Sequence, residues 1–322
     1  MSVPFPSARG ERLPWRSLPP AIAAAVEAEF GSPIAGATTQ PEGFSPAIAA
    51  RVVLADGRRL FLKAAGPNPN PEAPAIYRSE ARVAAQLPTS VPAPRLLWSY
   101  DDGDWVALAF DDIEGATPAL PWRVDQLTRV LAALSDLREA LTPSPVPVPT
   151  VQARLGPVQF RGWRQALDAG DKAREQIARV APWAAHHLDR LATLEGSWEE
   201  AAGGASLVHG DIRADNLLLT DDRVVFVDWP WASLGAEWLD LLFLLPSVAM
   251  QGGPDPWLLF DVHPLGRKAP GEATDSVLAA LAGFFIWVSC QPPPPGLPTL
   301  RSFQEAQGLA AVAWLRHRTQ WR

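Results

Sequence analysis

The chain has 322 residues, 48% of them hydrophobic and 20% charged, which predicts a globular protein of one to three domains with a sizeable core. Its formal net charge of −7 argues against a nucleic-acid partner, because proteins that bind nucleic acids usually carry a basic surface. The single cysteine, Cys290, excludes an internal disulfide framework and a cysteine-based metal cluster.

The N-terminal segment and the apolar runs carry no targeting or membrane signal. The opening stretch, MSVPFPSARGERLPW, lacks the apolar core of a signal peptide. The longest apolar run, residues 277–288, is too short to cross a bilayer and predicts a core helix. We therefore expect a cytoplasmic protein, monomeric or homodimeric, with neither a membrane nor a nucleic acid as its partner.

The first 115 residues predict a small lobe that contains both strands and helices. Two apolar, β-prone runs flank Asp56-Gly57, a dipeptide typical of hairpin turns, and a second pair of strands flanks the turn at 101–104. In chain order, the predicted elements are a helix at 19–30 that stops at Gly31, a loop at 31–46, strands at 48–54 and 59–64, a helix at 75–87, and strands at 96–100 and 105–110.

The rest of the chain, residues 116–322, predicts a larger and mainly helical lobe. Two short apolar runs, 217–220 and 224–227, interrupt the helices and are separated by Asp221-Asp222, a solvated turn. Predicted helices lie at 127–137, 161–169, 171–180, 182–201, 235–249, 273–290 and 299–317, and a proline-rich linker lies at 143–149.

Polar residues crowd around these two short strands. His209, Asp211 and Asn216 lie in the loop before the first strand, and Asp228 ends the second. A hairpin between the strands would bring Asn216 and Asp228 to the same end, where their oxygens suit Mg²⁺. Asp211 would then be a nearby carboxylate that takes a proton from a hydroxyl nucleophile or orients it.

The stretch HGDIRADN, followed by VVFVDW, resembles the catalytic loop and the metal-binding aspartate of the aminoglycoside phosphotransferase and choline-kinase-like family, within the protein-kinase-like superfamily. The resemblance implies an α+β, bilobal protein-kinase-like fold, with a small antiparallel-sheet N-lobe and a larger, mainly helical C-lobe. It implies that Asp211 is the catalytic base and that Asn216 and Asp228 are the metal ligands. Arg213 would face the transferred phosphate, and His209 would brace the loop.

The small lobe supplies the nucleotide-binding pair that the resemblance implies. Lys63, one of only three lysines, lies on an apolar strand, where burying an unpaired ammonium is unfavourable. Its implied partner is Glu80 on the next helix, with Glu72 as a rival. In the family this lysine holds the α- and β-phosphates of the nucleotide, and the glutamate orients it.

Two other segments resemble parts of a nucleotide site. Residues 108–115 resemble the interlobe hinge, so the carbonyl of Asp111 and the amide of Ile113 would read the adenine. The loop Gly-Phe-Ser-Pro before the first strand resembles the short phosphate loop of these enzymes, in which Ser45 would touch phosphate. Pro46 has no amide to donate to that phosphate.

Several residues near the motif have a less defined role. Asp240 is expected to brace the catalytic loop rather than to react. Trp229 and Trp231 are either core residues or walls of a substrate pocket, and Trp238 is more typical of a core. The sequence assigns no role to Asp215.

The resemblance therefore predicts an enzyme that transfers the γ-phosphate of ATP, or of GTP, to a hydroxyl of a small molecule, with Mg²⁺ as cofactor. An aminoglycoside-like antibiotic is the first candidate acceptor, which would make the protein a resistance enzyme. A metabolic alcohol, such as an amino alcohol, a homoserine-like compound or a sugar, is the main alternative, because the C-terminal region is rich in Arg and offers few carboxylates to a polycation. A catalytically silent nucleotide-binding relative is a further alternative, although the intact motif argues against it.

Overall fold

A five-stranded antiparallel sheet forms the N-terminal part of the fold in a computed structural model, which describes residues 10, 12–41, 43–156 and 159–322. Its strands are β1 (Ile34–Thr39), β2 (Ile48–Leu54), β3 (Arg59–Ala65), β4 (Leu96–Asp101) and β5 (Val106–Asp111). They pair in the order β1-β2-β3-β5-β4, so that β3 lies in the centre. The two predicted hairpins, β2–β3 and β4–β5, are both present.

Two helices, α1 (Pro20–Phe30) and α2 (Ala73–Ala84), cover opposite faces of this sheet. On β3, Leu62 packs in the apolar cluster that includes α1, whereas its neighbour Lys63 contacts Glu80 of α2. This alternation is the period of two that a strand imposes on its side chains. It places the lysine of the central strand on the face covered by α2.

The strand β1 was not predicted, because residues 31–46 were interpreted as a loop. Its sequence, IAGATT, has small residues and no regular apolar alternation, and its side chains are exposed or only half-buried. It is an edge strand that pairs with β2 alone. An edge strand buries little side-chain surface, so hydrophobic periodicity does not reveal it.

The remaining chain is mainly helical, as predicted. Its helices are α3 (Val124–Ala140), α4 (Val151–Leu155), α5 (Gly162–Asp168), α6 (Asp171–Val180), α7 (Pro182–His186), α8 (Leu188–Glu195), α9 (Trp198–Ala201), α10 (Leu239–Met250), α11 (Pro256–Phe260), α12 (Pro264–Lys268), α13 (Gly271–Ser289) and α14 (Leu300–Thr319). Short strands β6 (Ser206–Val208) and β9 (Ser233–Gly235) pair with each other, as do β7 (Leu217–Leu219) and β8 (Val224–Phe226). The single helix predicted at 182–201 is instead the three helices α7 to α9, because an apolar pattern continues across short breaks in the backbone.

Helix α13 lies at the centre of the helical part and packs against α14, α5, α8 and α9. By length and composition it is apolar enough to cross a membrane, but 56% of its apolar window is buried inside the protein. The core helix predicted for residues 277–288 is therefore confirmed. Helix α5 approaches it closely, since a Cβ on Gly162 would lie 1.9 Å from the carbonyl oxygen of Gly283.

The sheet and the helical part meet at the β7–β8 hairpin. Ala116, where the sequence predicts that the second lobe begins, exchanges two backbone hydrogen bonds with Leu219 of β7, at 3.1 and 2.8 Å. On α2, the Ser79 hydroxyl donates to the carbonyl of Pro230, just beyond β8, at 2.8 Å. These contacts place the polar residues of the hairpin against the face of the sheet that carries Lys63.

Candidate active site

The loop that follows β6 is held by a buried carboxylate at the start of α10. Asp240 accepts hydrogen bonds from the backbone amides of His209 and Gly210, both at 2.9 Å. Burial raises the pKa of Asp240 to about 6, although the two amide bonds act in the opposite direction. Gly210 has a φ of +82°, a conformation that glycine adopts without strain. Asp240 therefore braces the loop, as expected from the sequence.

His209 joins this loop to the residues that follow β8, and its ring makes structural contacts. Its Nε2 donates to the carbonyl of Val227 at 3.0 Å, and its Nδ1 accepts from the amide of Asp211 at 3.3 Å. The ring packs on Trp229, with centroids 4.5 Å apart. Complete burial lowers the pKa of His209 to about 4, so the imidazole is neutral at neutral pH.

The β7–β8 hairpin brings Asn216 and Asp228 to the same end, as predicted. Leu217 pairs with Phe226, and the amide of Val227 donates to the carbonyl of Asn216 at 3.0 Å. Asp228 has a φ of +69°, in the left-handed region that side chains seldom adopt. A non-glycine residue held in such a conformation is typical of functional sites.

Lys63 lies between two carboxylates. Its Nζ donates to Glu80 Oε2 at 2.5 Å and to Asp228 Oδ1 at 2.8 Å. Burial alone would lower the pKa of Lys63, but the charges of Asp228 and Glu80 raise it above its ordinary value and keep the ammonium protonated. The rival Glu72 is exposed at the start of α2. The structure thus joins Lys63 to Glu80.

Asp211 lies in a second ionic group. Arg213 Nη1 donates to Asp211 Oδ1, while its Nε and Nη2 donate to the two oxygens of Asp215 at 3.0 and 2.8 Å. Asn216 Nδ2 donates to the backbone carbonyl of Asp211 at 2.7 Å and to its carboxylate at 3.2 Å. Burial raises the pKa of Asp211 to about 7, and the neighbouring Arg213 only partly offsets this.

The residues available to a metal ion are oxygen ligands. Asn216 uses its amide nitrogen for Asp211, which leaves its side-chain oxygen for a metal, and Asp228 supplies a carboxylate beside it. Within the described ranges, no three His, Cys, Asp or Glu side chains converge on a metal position. Two hard oxygens completed by phosphate and water suit Mg²⁺ better than Zn²⁺. The carboxylates of Glu80, Asp211, Asp215 and Asp228 outnumber the cations Lys63 and Arg213, and a divalent ion would offset this surplus.

A cavity of about 170 Å³, here the sheet cavity, lies between the sheet and the β7–β8 hairpin. Lys63, Asn216 and Asp228 all line it. The hinge residues Asp111 and Ile113 line it as well, so the structure brings them to the same cavity as the lysine. Apolar side chains of Phe61, Phe110, Leu218 and Val227 complete much of its wall.

Ser45 does not line the sheet cavity. Its hydroxyl shares a hydrogen bond of 3.1 Å with the hydroxyl of Tyr77. Ser45 instead lines a second cavity. Gly43 and Arg12 line the sheet cavity at the position where the sequence placed a phosphate loop. Arg12 Nη1 donates to the carbonyl of Ser45 at 3.0 Å and so ties this segment down.

The second cavity, here the aromatic cavity, has a volume of about 320 Å³ and lies among helices α2, α4, α10, α13 and α14, the segment between α4 and α5, and the loop before β2. Asp211 and Arg213 lie at its inner end. Asp228 lines both cavities and therefore stands on their shared wall. Trp231 is part of this wall, Trp229 lines the sheet cavity, and Trp238 is a core residue.

A family model described as a phosphotransferase enzyme family matches residues 40–267. The chain belongs to this phosphotransferase family. The matched stretch extends from the loop before β2 to α12, and it includes the ionic groups of Lys63 and Asp211 and the brace at Asp240.

Solved structures share the fold of this phosphotransferase at low sequence identity. A thermostable mutant of the aminoglycoside phosphotransferase APH(4)-Ia, in complex with AMP-PNP and hygromycin B, is 14% identical with a TM-score of 0.60, over 92% of this chain and 98% of that one. A choline/ethanolamine kinase family protein from Mesorhizobium loti is 18% identical with a TM-score of 0.54, over 89% and 88%. A macrolide 2′-phosphotransferase type I is 21% identical with a TM-score of 0.50, over 92% and 96%.

These comparisons confirm two predictions from the sequence. The phosphotransferase has the protein-kinase-like fold, with a small antiparallel sheet and a larger helical part. It is also an enzyme of the small-molecule phosphotransferase type, as the motif indicated.

Three charged residues of the phosphotransferase site were not predicted from the sequence. Asp215 holds Arg213 through two hydrogen bonds, and its position two residues beyond that arginine is a signal that was overlooked. Arg51 lines the sheet cavity and donates to the carbonyl of Ile113 at 3.2 Å. It is the sole charged residue of strand β2, the same signal that singled out Lys63. Arg12 lies in a segment with no recognisable motif.

Proposed function

We propose that this phosphotransferase transfers the γ-phosphate of ATP to a hydroxyl of a small molecule, with Mg²⁺ as cofactor. The observation that carries the proposal is the position of Asp228, which lines both the sheet cavity and the aromatic cavity. A nucleotide in the sheet cavity and an acceptor in the aromatic cavity would meet beside this carboxylate and Asp211. Transfer between two bound molecules requires such a shared wall, because catalysis here depends mainly on positioning and charge neutralisation.

The sheet cavity is suited to a nucleotide. Lys63 is a buried, permanently charged donor that can bind the α- and β-phosphates, and Glu80 fixes its position. The backbone of Asp111 and Ile113 lies on the same cavity, where it can read a base. In the structure Lys63 also donates to Asp228, so binding of phosphates would draw the lysine away from this carboxylate and free it for a metal.

Asn216 and Asp228 would hold Mg²⁺ through their side-chain oxygens. When bound there, the ion would supply positive charge that neutralises phosphate oxygens. Arg213 lies between Asp211 and Asp215 on the aromatic-cavity side, within reach of the same junction. Its charge is available to the phosphate as it is transferred.

Asp211 is the group that would receive the proton of the acceptor. The acceptor oxygen attacks the γ-phosphorus, and the bond between that phosphorus and the β–γ bridging oxygen breaks, which releases ADP. The hydroxyl proton passes to Asp211. Because burial raises the pKa of Asp211 to about 7, its carboxylate can accept and later release a proton near neutral pH.

The variant Asp211→Ala tests this role. We expect acceptor-dependent ADP release to fall by about 10²–10⁴-fold, the usual contribution of a positioned general base. Binding of a fluorescent ATP analogue should be nearly unchanged, because Lys63, Asn216 and Asp228 remain. Turnover at the wild-type rate would contradict the assignment.

The control is Asp222→Ala, which removes a carboxylate from the exposed turn of the β7–β8 hairpin. Asp222 accepts a hydrogen bond from the Thr220 hydroxyl at 2.7 Å and is not among the described residues that line either cavity. It should retain full turnover, which separates loss of the base from general damage to the hairpin.

A further inference from the structure

The wall of the aromatic cavity is made mainly of aromatic rings. Phe160 contacts Phe243 and Phe284, with ring centroids 5.8 and 6.2 Å apart, and these three form one side. Phe44 and Phe303 form another, with an edge-to-face contact at 4.9 Å. Aliphatic side chains from the same helices fill the spaces between them. Binding of a ligand that displaces water from such a wall is favourable in proportion to the apolar surface that the ligand buries.

Carboxylates are scarce in this wall. Among the described residues that line the aromatic cavity, only Asp211 and Asp228 carry a negative charge. Arg213 already pairs with the first, and Lys63 with the second. A polycationic acceptor needs several free carboxylates around it, since burying unpaired ammonium groups is unfavourable. The acidic residues of the C-terminal region do not line the cavity: Asp255, Asp261, Glu272, Asp275 and Glu305.

The aromatic rings do not form an empty cage for a single cation either. The guanidinium carbon of Arg213 lies 5.8 Å from the ring centroid of Phe44 and 5.6 Å from that of Phe303. At these distances the two rings already interact with a positive charge. Arg213 is therefore the cation that these two rings already contact.

The polar side chains that remain in the described lining are uncharged: besides the mutually hydrogen-bonded hydroxyls of Ser45 and Tyr77, they are amides. Gln307 of α14 is only 4% exposed and lines the cavity, and its side chain has no hydrogen-bond partner among the residues that the structure describes. Gln159 lines the same cavity. An amide that faces the cavity in this way is free to hydrogen-bond water or a bound ligand. Neutral amides in an apolar wall are the donors and acceptors that orient an uncharged ligand.

We propose that the phosphate acceptor is an uncharged, largely apolar hydroxyl compound whose ring or hydrocarbon body fills the aromatic cavity and whose polar group hydrogen-bonds Gln307. The inference rests on the phosphotransferase function proposed above and specifies its substrate class. A volume of about 320 Å³ is close to the lower end of ligand pockets, and it accommodates a ring-sized body. The first candidate from the sequence, an aminoglycoside-like antibiotic, differs from this class because it is a polar polycation.

A screen for coupled ADP release tests the acceptor class with wild-type enzyme, ATP and Mg²⁺. The panel contains apolar neutral alcohols, neutral sugars, amino alcohols including choline, and aminoglycosides. Within it, three compounds share one reacting group, a 1,2-diol: glycerol, 3-amino-1,2-propanediol and 3-(1-naphthyloxy)-1,2-propanediol. We expect the highest kcat/KM in the apolar neutral class, and at least tenfold higher kcat/KM for the naphthyl compound than for glycerol or the amino diol.

Two outcomes contradict different claims. A highest kcat/KM among aminoglycosides, amino alcohols or sugars would overturn the acceptor class while leaving the phosphotransferase function intact. Absence of ADP release with every compound, from a protein that still binds a fluorescent ATP analogue, would instead overturn the proposed function.

Substitutions at Gln307 test the contact with the acceptor. For the best apolar acceptor, Gln307→Leu should raise KM by about tenfold with a smaller change in kcat, because an orienting hydrogen bond is lost. Gln307→Glu should lower kcat/KM for that acceptor and raise it for the matched amino diol, because it adds a carboxylate to the cavity. Leu309→Glu, which places the same charge on the exposed side of α14, is the control and should change neither value. Unchanged kinetics in both Gln307 variants, with wild-type thermal stability, would show that the acceptor does not hydrogen-bond Gln307 and would overturn that part of the proposal.

Discussion

Lys63 and Arg213 are each held between two carboxylates, and these two ionic groups form most of the charged site. The sequence indicated Asp211 and Asp228 through the motif around the β7–β8 hairpin, and Lys63 because an ammonium on an apolar strand is unfavourable without a partner. It did not indicate that Arg213 pairs with Asp211, because side-chain pairing within a loop depends on conformations that residue spacing does not determine. For the same reason Ser45 was expected at the nucleotide but lies on the aromatic cavity.

The Lys63–Glu80 pair allows stability and function to be separated. We expect Lys63→Met to lower the free energy of unfolding by about 3–5 kcal/mol, because the buried Glu80 loses its counter-charge. The double variant Lys63→Met/Glu80→Leu should recover most of that loss, since a buried ion pair can be replaced by apolar residues of similar size. Neither variant should transfer phosphate, because the donor to the nucleotide phosphates is absent. Urea unfolding and ADP release measure the two effects.

The control for this series is Lys172→Met, which removes an exposed lysine on α6. Its stability and turnover should match those of the wild type. Full activity in the double variant would show that Lys63 has a structural role alone.

At the scale of elements, the site is built on one hairpin and the helix that braces it. The β7–β8 hairpin was predictable, because two apolar runs flank a polar turn and each run is followed or preceded by a motif residue. The strands β6 and β9 were not predicted, because each has only three residues and they pair across a separation of about 27 residues in sequence. Such short, non-local strands leave no periodic signal.

Asp240 connects helix α10 to the loop that carries Asp211, so its removal should affect that loop. We expect Asp240→Ala to lower kcat by about 10²-fold, because a small displacement of a positioned group has a large effect on rate. The two unpaired amides, of His209 and Gly210, should also lower the free energy of unfolding by about 1–3 kcal/mol each. Steady-state kinetics and thermal unfolding measure these changes.

Two further variants separate positioning from general damage. Asp240→Asn retains one acceptor oxygen and should have an intermediate kcat. Glu237→Ala removes a half-buried partner of Arg138 one turn earlier, where an ion pair contributes about 0–1 kcal/mol, and should have nearly wild-type kcat. A wild-type kcat for Asp240→Ala would contradict the bracing role.

At the scale of the whole molecule, the main feature of the enzyme is the wall that the sheet cavity and the aromatic cavity share at Asp228. The sequence predicted a small sheet-bearing part and a larger helical part, because the periodicity of the apolar residues changes along the chain. It did not predict the chemistry of the aromatic cavity. That wall combines residues from the loop before β2, from α2, α4, α10, α13 and α14, and from the segment between α4 and α5, and contacts between such distant segments leave no local pattern. A count of acidic residues in the C-terminal region pointed away from a polycation, and the described lining of the cavity agrees with it.

The most direct test of the central claim is ³¹P NMR of a reaction that contains the enzyme, ATP, Mg²⁺ and the best acceptor from the screen. We predict a new phosphomonoester resonance that grows in step with ADP in the wild type and is absent with Asp211→Ala. Because the two cavities meet at Asp228, phosphate should pass to the acceptor rather than to water. ADP that accumulates together with inorganic phosphate, without a phosphomonoester, would contradict transfer across this wall.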